Sequence, residues 1–405
     1  MKPILRAERM KPVHSDIRGP LFVEAMKRQK QGIDILKLNT GNPATFGFGL
    51  PDSIKNALME HMQDGVGYCD FKGMPQARQA ICDYETSKGI KGITPDDVFI
   101  GNGVSEVVSF ALTPLLNDGD EVLVPSPSYS LWGNSVYLED GKPVFYTCDE
   151  QANWYPDIQD IRSKITDKTK AIVIINPNNP TGVLYPKEIL LEIIQVAREF
   201  GLLIFADEIY DRLVMDGKQH ISLASLTEDV PVITLNGLSK SHCLCGYRCG
   251  WMVISGPREL TEDYRQGIIQ LTSLRLCANT MAQIVIPAAL DDMETPASMV
   301  RPGGRIYEQR EATVRELEKI DGLSFVKNDA AFYVFPKLDV KKFNITNDKQ
   351  FAHDLLDATN ILLVPGSGFD WKDPDHFRIV MLPQADILSD AIRRMGTFLD
   401  GYKQK

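Results

Sequence analysis

No apolar run in the 405 residues is long enough to span a bilayer. The clearest, Ala171–Ile175 and Leu202–Ala206, are five residues each, against the ~20 a membrane helix needs. A basic excess is missing as well: 44 Lys plus Arg face 54 Asp plus Glu, for a net charge of −10. Nucleic acid and an anionic membrane surface are therefore disfavoured as main partners, since both leave a basic footprint. The stretch from Met1 to Arg18 has no apolar core and so no secretory signal. Cysteine is sparse, and seven is an odd count for a disulfide framework; reduced thiols in a cytoplasmic setting are expected. Cys243, Cys245 and Cys249, beside His242, lack the second C-x-x-C pair that would close a tetrahedral metal site. Small buried thiols and no metal are expected there.

What is present is ordinary for a soluble globular chain, with 43% hydrophobic and 24% charged residues. The length suggests roughly two domains on a prior of ~100–200 residues each. Short apolar runs alternate with helical patterns, the mark of βα units around a parallel sheet. Strands are expected at Asp97–Ile100, Glu121–Val124, Lys170–Ile175, Leu202–Ala206 and Val232–Leu235, with a helix over Pro186–Phe200. Helices continue from Pro257 to Leu290. After the Pro- and Gly-containing segment Thr295–Gly304 come a charged helix (Arg305–Lys319), strands at Ala331–Phe335, Ile361–Val364 and Phe377–Leu382, a helix at Gln350–Ala358 and a closing helix from Leu388. The expected fold is α/β: a large domain with a mostly parallel central sheet flanked by helices, plus a smaller α+β domain.

In open α/β sheets, ligands gather beyond the carboxyl ends of the strands. Gly101-Asn-Gly-Val-Ser-Glu follows the first strand, Asn176-Pro-Asn-Asn-Pro-Thr-Gly the third, Asp207-Glu-Ile-Tyr the fourth and Asn236-Gly-Leu-Ser-Lys the fifth. Each has a bland alternative: a tight turn with a helix cap, a proline turn, a capping acid, a solvated lysine. Together they offer an anion cradle, an amide, an acid with a nearby phenol, and an amine. Lys240 precedes Arg248 in Gly-Tyr-Arg-Cys-Gly-Trp. A lysine held near cations has lowered basicity and forms Schiff bases, and Arg248 suits a phosphate. Such a cleft fits an anionic aromatic cofactor.

These motifs resemble the class I, aspartate-aminotransferase-like, fold type I pyridoxal-phosphate enzymes, and within them the bacterial alanine aminotransferases. The resemblance runs from Leu38-Asn-Thr-Gly-Asn-Pro43 to Arg378 and includes Asp16-Ile-Arg-Gly-Pro20, Gly67-Tyr-Cys-Asp70 and Gly303–Arg310. It implies that Lys240 joins pyridoxal 5′-phosphate covalently and carries the proton. Asp207 pairs with the ring nitrogen, Asn179 and Tyr210 hold the phenolic oxygen, and Tyr129 stacks on the ring. Val104, Ser105, Ser239 and Arg248 form the phosphate cup. Tyr68 crosses to a neighbouring subunit, implying a homodimer. Arg378 forks the substrate α-carboxylate with Gly41 and Asn179 beside it; from sequence alone Arg378 reads as a solvated residue on an edge strand.

The resemblance implies amino acids and 2-oxo acids as partners, with alanine and 2-oxoglutarate giving pyruvate and glutamate in two half-reactions. Arg18 is expected to greet the distal carboxylate. The expected division is an arm over 1–19, a small domain over 20–48 and 295–405, and a large domain over 49–294. Departures from the family pattern fall at Ser15, Cys243, Cys249 and Ala330. Competing readings are an aromatic or broad-specificity aminotransferase, a cofactor-sharing carbon–sulfur lyase and a non-catalytic cofactor-binding regulator.

Overall fold

The computed structural model describes residues 3–405. Side chains alternate across a pleated strand, and here both faces are apolar. Leu123, Ile172, Ile174, Ile204 and Ala206 pack into one core, while Val122, Val124, Ala171, Val173 and Phe205 pack into another. Such strands need cover on both sides, which is the condition of a parallel sheet.

The sheet has eight strands: β1 (Val98–Asn102), β2 (Glu121–Ser126), β3 (Lys142–Asp149), β4 (Tyr155–Pro156), β5 (Thr169–Ile175), β6 (Leu203–Asp207), β7 (Val232–Gly237) and β8 (Cys249–Ser255). Their spatial order is β1-β8-β7-β6-β5-β2-β3-β4. Strands β7, β6, β5, β2 and β3 run parallel. β8 lies antiparallel between β7 and β1, and β4 pairs antiparallel with β3. All five expected strands are present within two residues; β3, β4 and β8 had no counterpart in the expectations. The helix Lys187–Phe200 buries Leu190, Ile193, Ile194 and Ala197 at helical spacing. A helix over Glu294–Val300 covers the start of the segment where the domain split was expected.

Beyond it a second core forms from Leu317, Val334, Phe351, Leu355, Ile361, Phe377, Ile379, Leu388 and Ile392. Helices Arg305–Leu317, Asp348–Thr359 and Ala385–Leu399 surround a three-stranded sheet with Phe377–Val380 in the middle. The segment Leu36–Lys37 pairs in parallel with Ile361–Leu362. Leu38 continues this: its amide donates to Leu362 O at 2.7 Å, and its carbonyl accepts from the Val380 amide at 3.1 Å. Residues 39–41 are thereby delivered beside Arg378. Among the described residues no helix is long and apolar enough to cross a membrane.

Candidate active site

The parallel strands end level with one another, and the Asn176 amide, just past β5, donates to the Asp207 carbonyl at 3.0 Å. Asp207 closes β6 and is buried. Its carboxylate accepts from the Trp132 indole at 3.1 Å and the Ile209 amide at 3.4 Å. Burial nevertheless pushes its pKa up to about 6, because two donors do not replace the hydration of a charge.

Lys240 sits on the helical turn Leu238–Ser241 that follows β7. Its ammonium donates to the Gly41 carbonyl at 2.9 Å, with Cys245 Sγ at 4.0 Å. The expected lowered basicity is not what this setting gives. Burial does disfavour the charge, but the nearby Tyr333, Cys245 and Tyr129 turn the net direction upward. The nearby Arg378 opposes them without prevailing.

Arg378 lies on the central strand Phe377–Val380 and is 2% exposed, so the expectation of a solvated edge residue is corrected. It donates to Asn179 Oδ1 at 2.9 Å and to the Asn39 carbonyl, and its guanidinium lies 4.6 Å from the rings of Tyr333 and Phe369. Its Nε has no partner, leaving a buried donor to be satisfied. Tyr210 and Tyr333 share a hydroxyl–hydroxyl bond of 3.0 Å. A Cβ on Gly41 would stand 2.3 Å from the Tyr333 hydroxyl, so this close approach requires glycine.

A second group forms around the helix Val104–Leu112. Gly103 precedes it with φ +87°, and a Cβ there would stand 2.4 Å from Arg248 Nη2. That nitrogen donates to Ser105 Oγ at 3.1 Å, while Nη1 donates to the Cys245 carbonyl at 3.0 Å. Free amides at the helix start, a hydroxyl and an exposed guanidinium make an anion cradle, with Ser239 buried beside Lys240.

Lys240, Gly41, Asn179, Tyr210 and Arg378 thus form one cluster, and Val104, Ser105 and Arg248 another. Tyr129 is 38% exposed and Tyr68 85% exposed. Arg18 stands apart, lining a hollow of about 240 Å³ with Lys37, Thr40 and Asn42. Tyr333 and Trp132 were missed by sequence reasoning. The aromatic run Phe332-Tyr333 in an apolar strand was the available signal for the first; nothing local marked the second.

The departures are accommodated. Ala330 has no left-handed φ, which falls instead on Ala331 (+58°) and on Cys243 (+60°). Cys243 Sγ rests 3.8 Å from Met299 Sδ, Cys249 is buried in β8 and Ser15 is exposed. All seven cysteines are free thiols, and the three clustered ones form no metal-ligand group among the described residues.

The residues fit pyridoxal 5′-phosphate. A buried acid with few donors suits a protonated ring nitrogen, the cradle suits a phosphate, and the orphaned Arg378 Nε suits a carboxylate. Residues 33–392 match the family described as Aminotransferase class I and II. The chain is 49% identical over 404 residues to a glutamate-pyruvate aminotransferase AlaA of Haemophilus influenzae, covering 100% of both. It is 45% identical over 400 residues to an alanine aminotransferase of Mycobacterium bovis, covering 98% of this chain and 93% of the relative. A crystal structure of an aminotransferase from Escherichia coli superposes with a TM-score of 0.98 at 46% identity, covering 100% of both chains. The chain belongs to the class I and II aminotransferases, enzymes that work with pyridoxal 5′-phosphate.

Proposed function

We propose that the chain transfers the amino group of alanine to 2-oxoglutarate, giving pyruvate and glutamate in a ping-pong sequence. The names of the full-length relatives support the substrate pair. The observation that carries it is the convergence of Lys240 and Arg378 on one short segment: Lys240 bonds the Gly41 carbonyl and Arg378 the Asn39 carbonyl. A carboxylate held by Arg378 and Asn179 presents its Cα to the amine of Lys240.

Bound pyridoxal phosphate supplies a protonated ring that stores the electron pair left at Cα. Asp207 would hold the ring proton, and Asn179 and Tyr210 would bond the phenolic oxygen. Tyr129 covers one face; Val104, Ser105, Ser239 and Arg248 hold the phosphate. Lys240 would take the proton from the substrate Cα and hold it for return to the bound cofactor.

The molecule works as a homodimer in which Tyr68 reaches the partner's phosphate. Supporting this, Met59, Met62, Val66, Tyr68, Leu274 and Leu276 are all exposed, and Thr280 Oγ1 bonds the Gly65 carbonyl at 2.5 Å, tying the two segments together. Seven free thiols support a cytoplasmic location. The proposed units are an arm (1–19), a small domain (20–48 and 295–405) and a large domain (49–294). Packing of Ala25 and Ile35 with Leu356 and Leu362 supports the second.

Arg18, in the hollow beside Thr40 and Asn42, receives the distal carboxylate of glutamate. Arg18→Ala should slow the glutamate half-reaction roughly tenfold or more and leave the alanine one unchanged; equal loss with both donors defeats the assignment. Lys240→Ala should lose turnover and the visible absorption of the bound cofactor. A panel of amino donors then separates alanine from aromatic or broad preference.

A further inference from the structure

Behind the cofactor-facing residues lies a second set of charged side chains that the reaction does not use. Lys88 follows the helix Pro75–Ser87 and turns its ammonium inward, 2.7 Å from Glu208, 2.9 Å from Glu85 and 3.1 Å from Asp211. The Asp211 oxygen that meets Lys88 also accepts from the Tyr84 hydroxyl at 2.6 Å and the Asn236 amide at 2.7 Å. Glu208 accepts from the Ser222 hydroxyl at 2.9 Å and the Leu223 amide at 3.0 Å. His220 Nε2 lies 3.1 Å from the Asn176 carbonyl and 3.9 Å from Glu208. The Trp251 indole donates to Glu85 at 3.2 Å.

These contacts fall behind successive strand ends. Asn176 follows β5 and opens the turn that carries Asn179. Glu208 and Asp211 are interleaved with Asp207 and Tyr210 past β6. Asn236 lies in β7, which leads into Ser239 and Lys240. One ammonium therefore holds the rear of two turns whose fronts hold cofactor contacts, the β6 turn directly and the β7 turn through Asp211 and Asn236. His220 bonds the rear of the β5 turn without touching Lys88. Glu208, Asp211 and His220 bring ligand-type atoms within 4.8 Å of one another, but Lys88 supplies the cation that this cluster needs. Arg212, the other nearby cation, faces away: its guanidinium stacks 4.2 Å over the Tyr84 ring and bonds the carbonyls of Ala289 and Leu290. Removing the one ammonium that meets these carboxylates directly leaves them buried with only the more distant charge of Arg212. The turns then separate, and misplacement by ~1 Å costs roughly 10²-fold in catalysis.

We propose that Lys88 is a positioning residue for the cofactor site: bound to Glu208 and Asp211, it fixes the spacing of the β6 and β7 ends so that Asp207, Tyr210 and Lys240 meet one ring. This rests on those three residues contacting the cofactor. The test uses the full-length protein with Lys88→Met, Lys88→Arg, Asp211→Asn and Lys240→Ala. Pyridoxal phosphate affinity is measured by equilibrium dialysis, the pH midpoint of the bound cofactor's visible absorption by titration, and the fold by urea. Lys88→Met should weaken cofactor binding about tenfold and move the pH midpoint by about half a unit, while Lys88→Arg keeps both near the native values. A lowered urea midpoint with unchanged affinity and pH midpoint makes Lys88 merely structural and overturns the proposal. If Lys88→Met does not fold, Asp211→Asn decides: threefold or more weaker binding supports positioning, and unchanged binding overturns it, on the same ~1 Å argument. Lys240→Ala separates the underlying assignment, which fails if that variant keeps the visible absorption.

Discussion

Asp207 holds a carboxyl where a charge is costly. Its folded pKa of about 6 lies above the usual value of 3.8. Its contribution to stability is therefore present below about pH 4 and lost as pH rises through about 6. At ~1.4 kcal/mol per unit, the ionised side chain costs the fold about 2–3 kcal/mol at pH 8 before a cation meets it. Asp207→Asn should stabilise the cofactor-stripped protein by about that amount at pH 8 and by nothing at pH 4, read from urea unfolding. The same variant should lose roughly 10²–10³ in kcat. Equal stabilisation at both pH values would show that charge is not the cause. Gly41→Ala makes a steric test of the other side of the site, since the added methyl must displace either the Tyr333 hydroxyl or the carbonyl that Lys240 bonds. The KM for alanine should rise about tenfold, against a kcat that falls less. Asp207, Asn179 and Lys240 were legible because each directly follows an apolar strand. Trp132 and Tyr333 were not, because what defines them is a contact with a residue 75 or 123 positions away.

At the scale of elements, the segment ahead of the helix Pro20–Lys30 is fastened by His14. Its backbone amide donates to Asn134 Oδ1 at 3.1 Å, and its ring lies 3.0 Å from Asp370 and 3.6 Å from Asp16. The Asp370 carbonyl accepts from the Ser126 hydroxyl at 2.7 Å, so this clasp reaches the loop that carries Tyr129. Hydrogen bonds from Asp16 and then Asp370 raise the His14 pKa to about 9. The clasp is then at full strength below about pH 6.5 and is lost as pH rises through about 9. Amide protection in residues 3–19, corrected for intrinsic exchange, should fall between pH 6.5 and 9.5; His14→Gln should remove that fall. Identical pH dependence in the variant would rule out His14 as its origin. The parallel strands were legible because both their faces are apolar. The strand Phe377–Val380 was read as an edge because it carries Arg378. An arginine enters a central strand only where aromatic rings and carbonyls receive it, and Tyr333, Phe369 and Asn39 come from elsewhere in the chain. The Lys88 set was invisible for the same reason: Lys88 and Glu208 are 120 positions apart.

For the whole molecule, the exposed apolar residues between Met59 and Tyr68, with Leu274 and Leu276, set the expected assembly. On the proposed dimer, Val66→Asp should give monomers in sedimentation, and those monomers should bind pyridoxal phosphate about tenfold more weakly, because each would lack a partner's contact to its phosphate. Dimers with unchanged cofactor affinity would refute the placement of that interface. The net charge of −10 says little about a site that Lys240, Arg248 and Arg378 make locally positive.

The pairing of Leu36–Lys37 with Ile361–Leu362 also sets an order of events in synthesis. Residues 39–41 leave the ribosome early, yet the strands that hold them, at 361–362 and 377–380, emerge near the end. Such distant closure makes for slow folding. A nascent chain that ends before residue 378 therefore lacks Arg378, the proposed seat for a substrate carboxylate. The pocket around Arg378 is among the last parts of the chain that synthesis can complete.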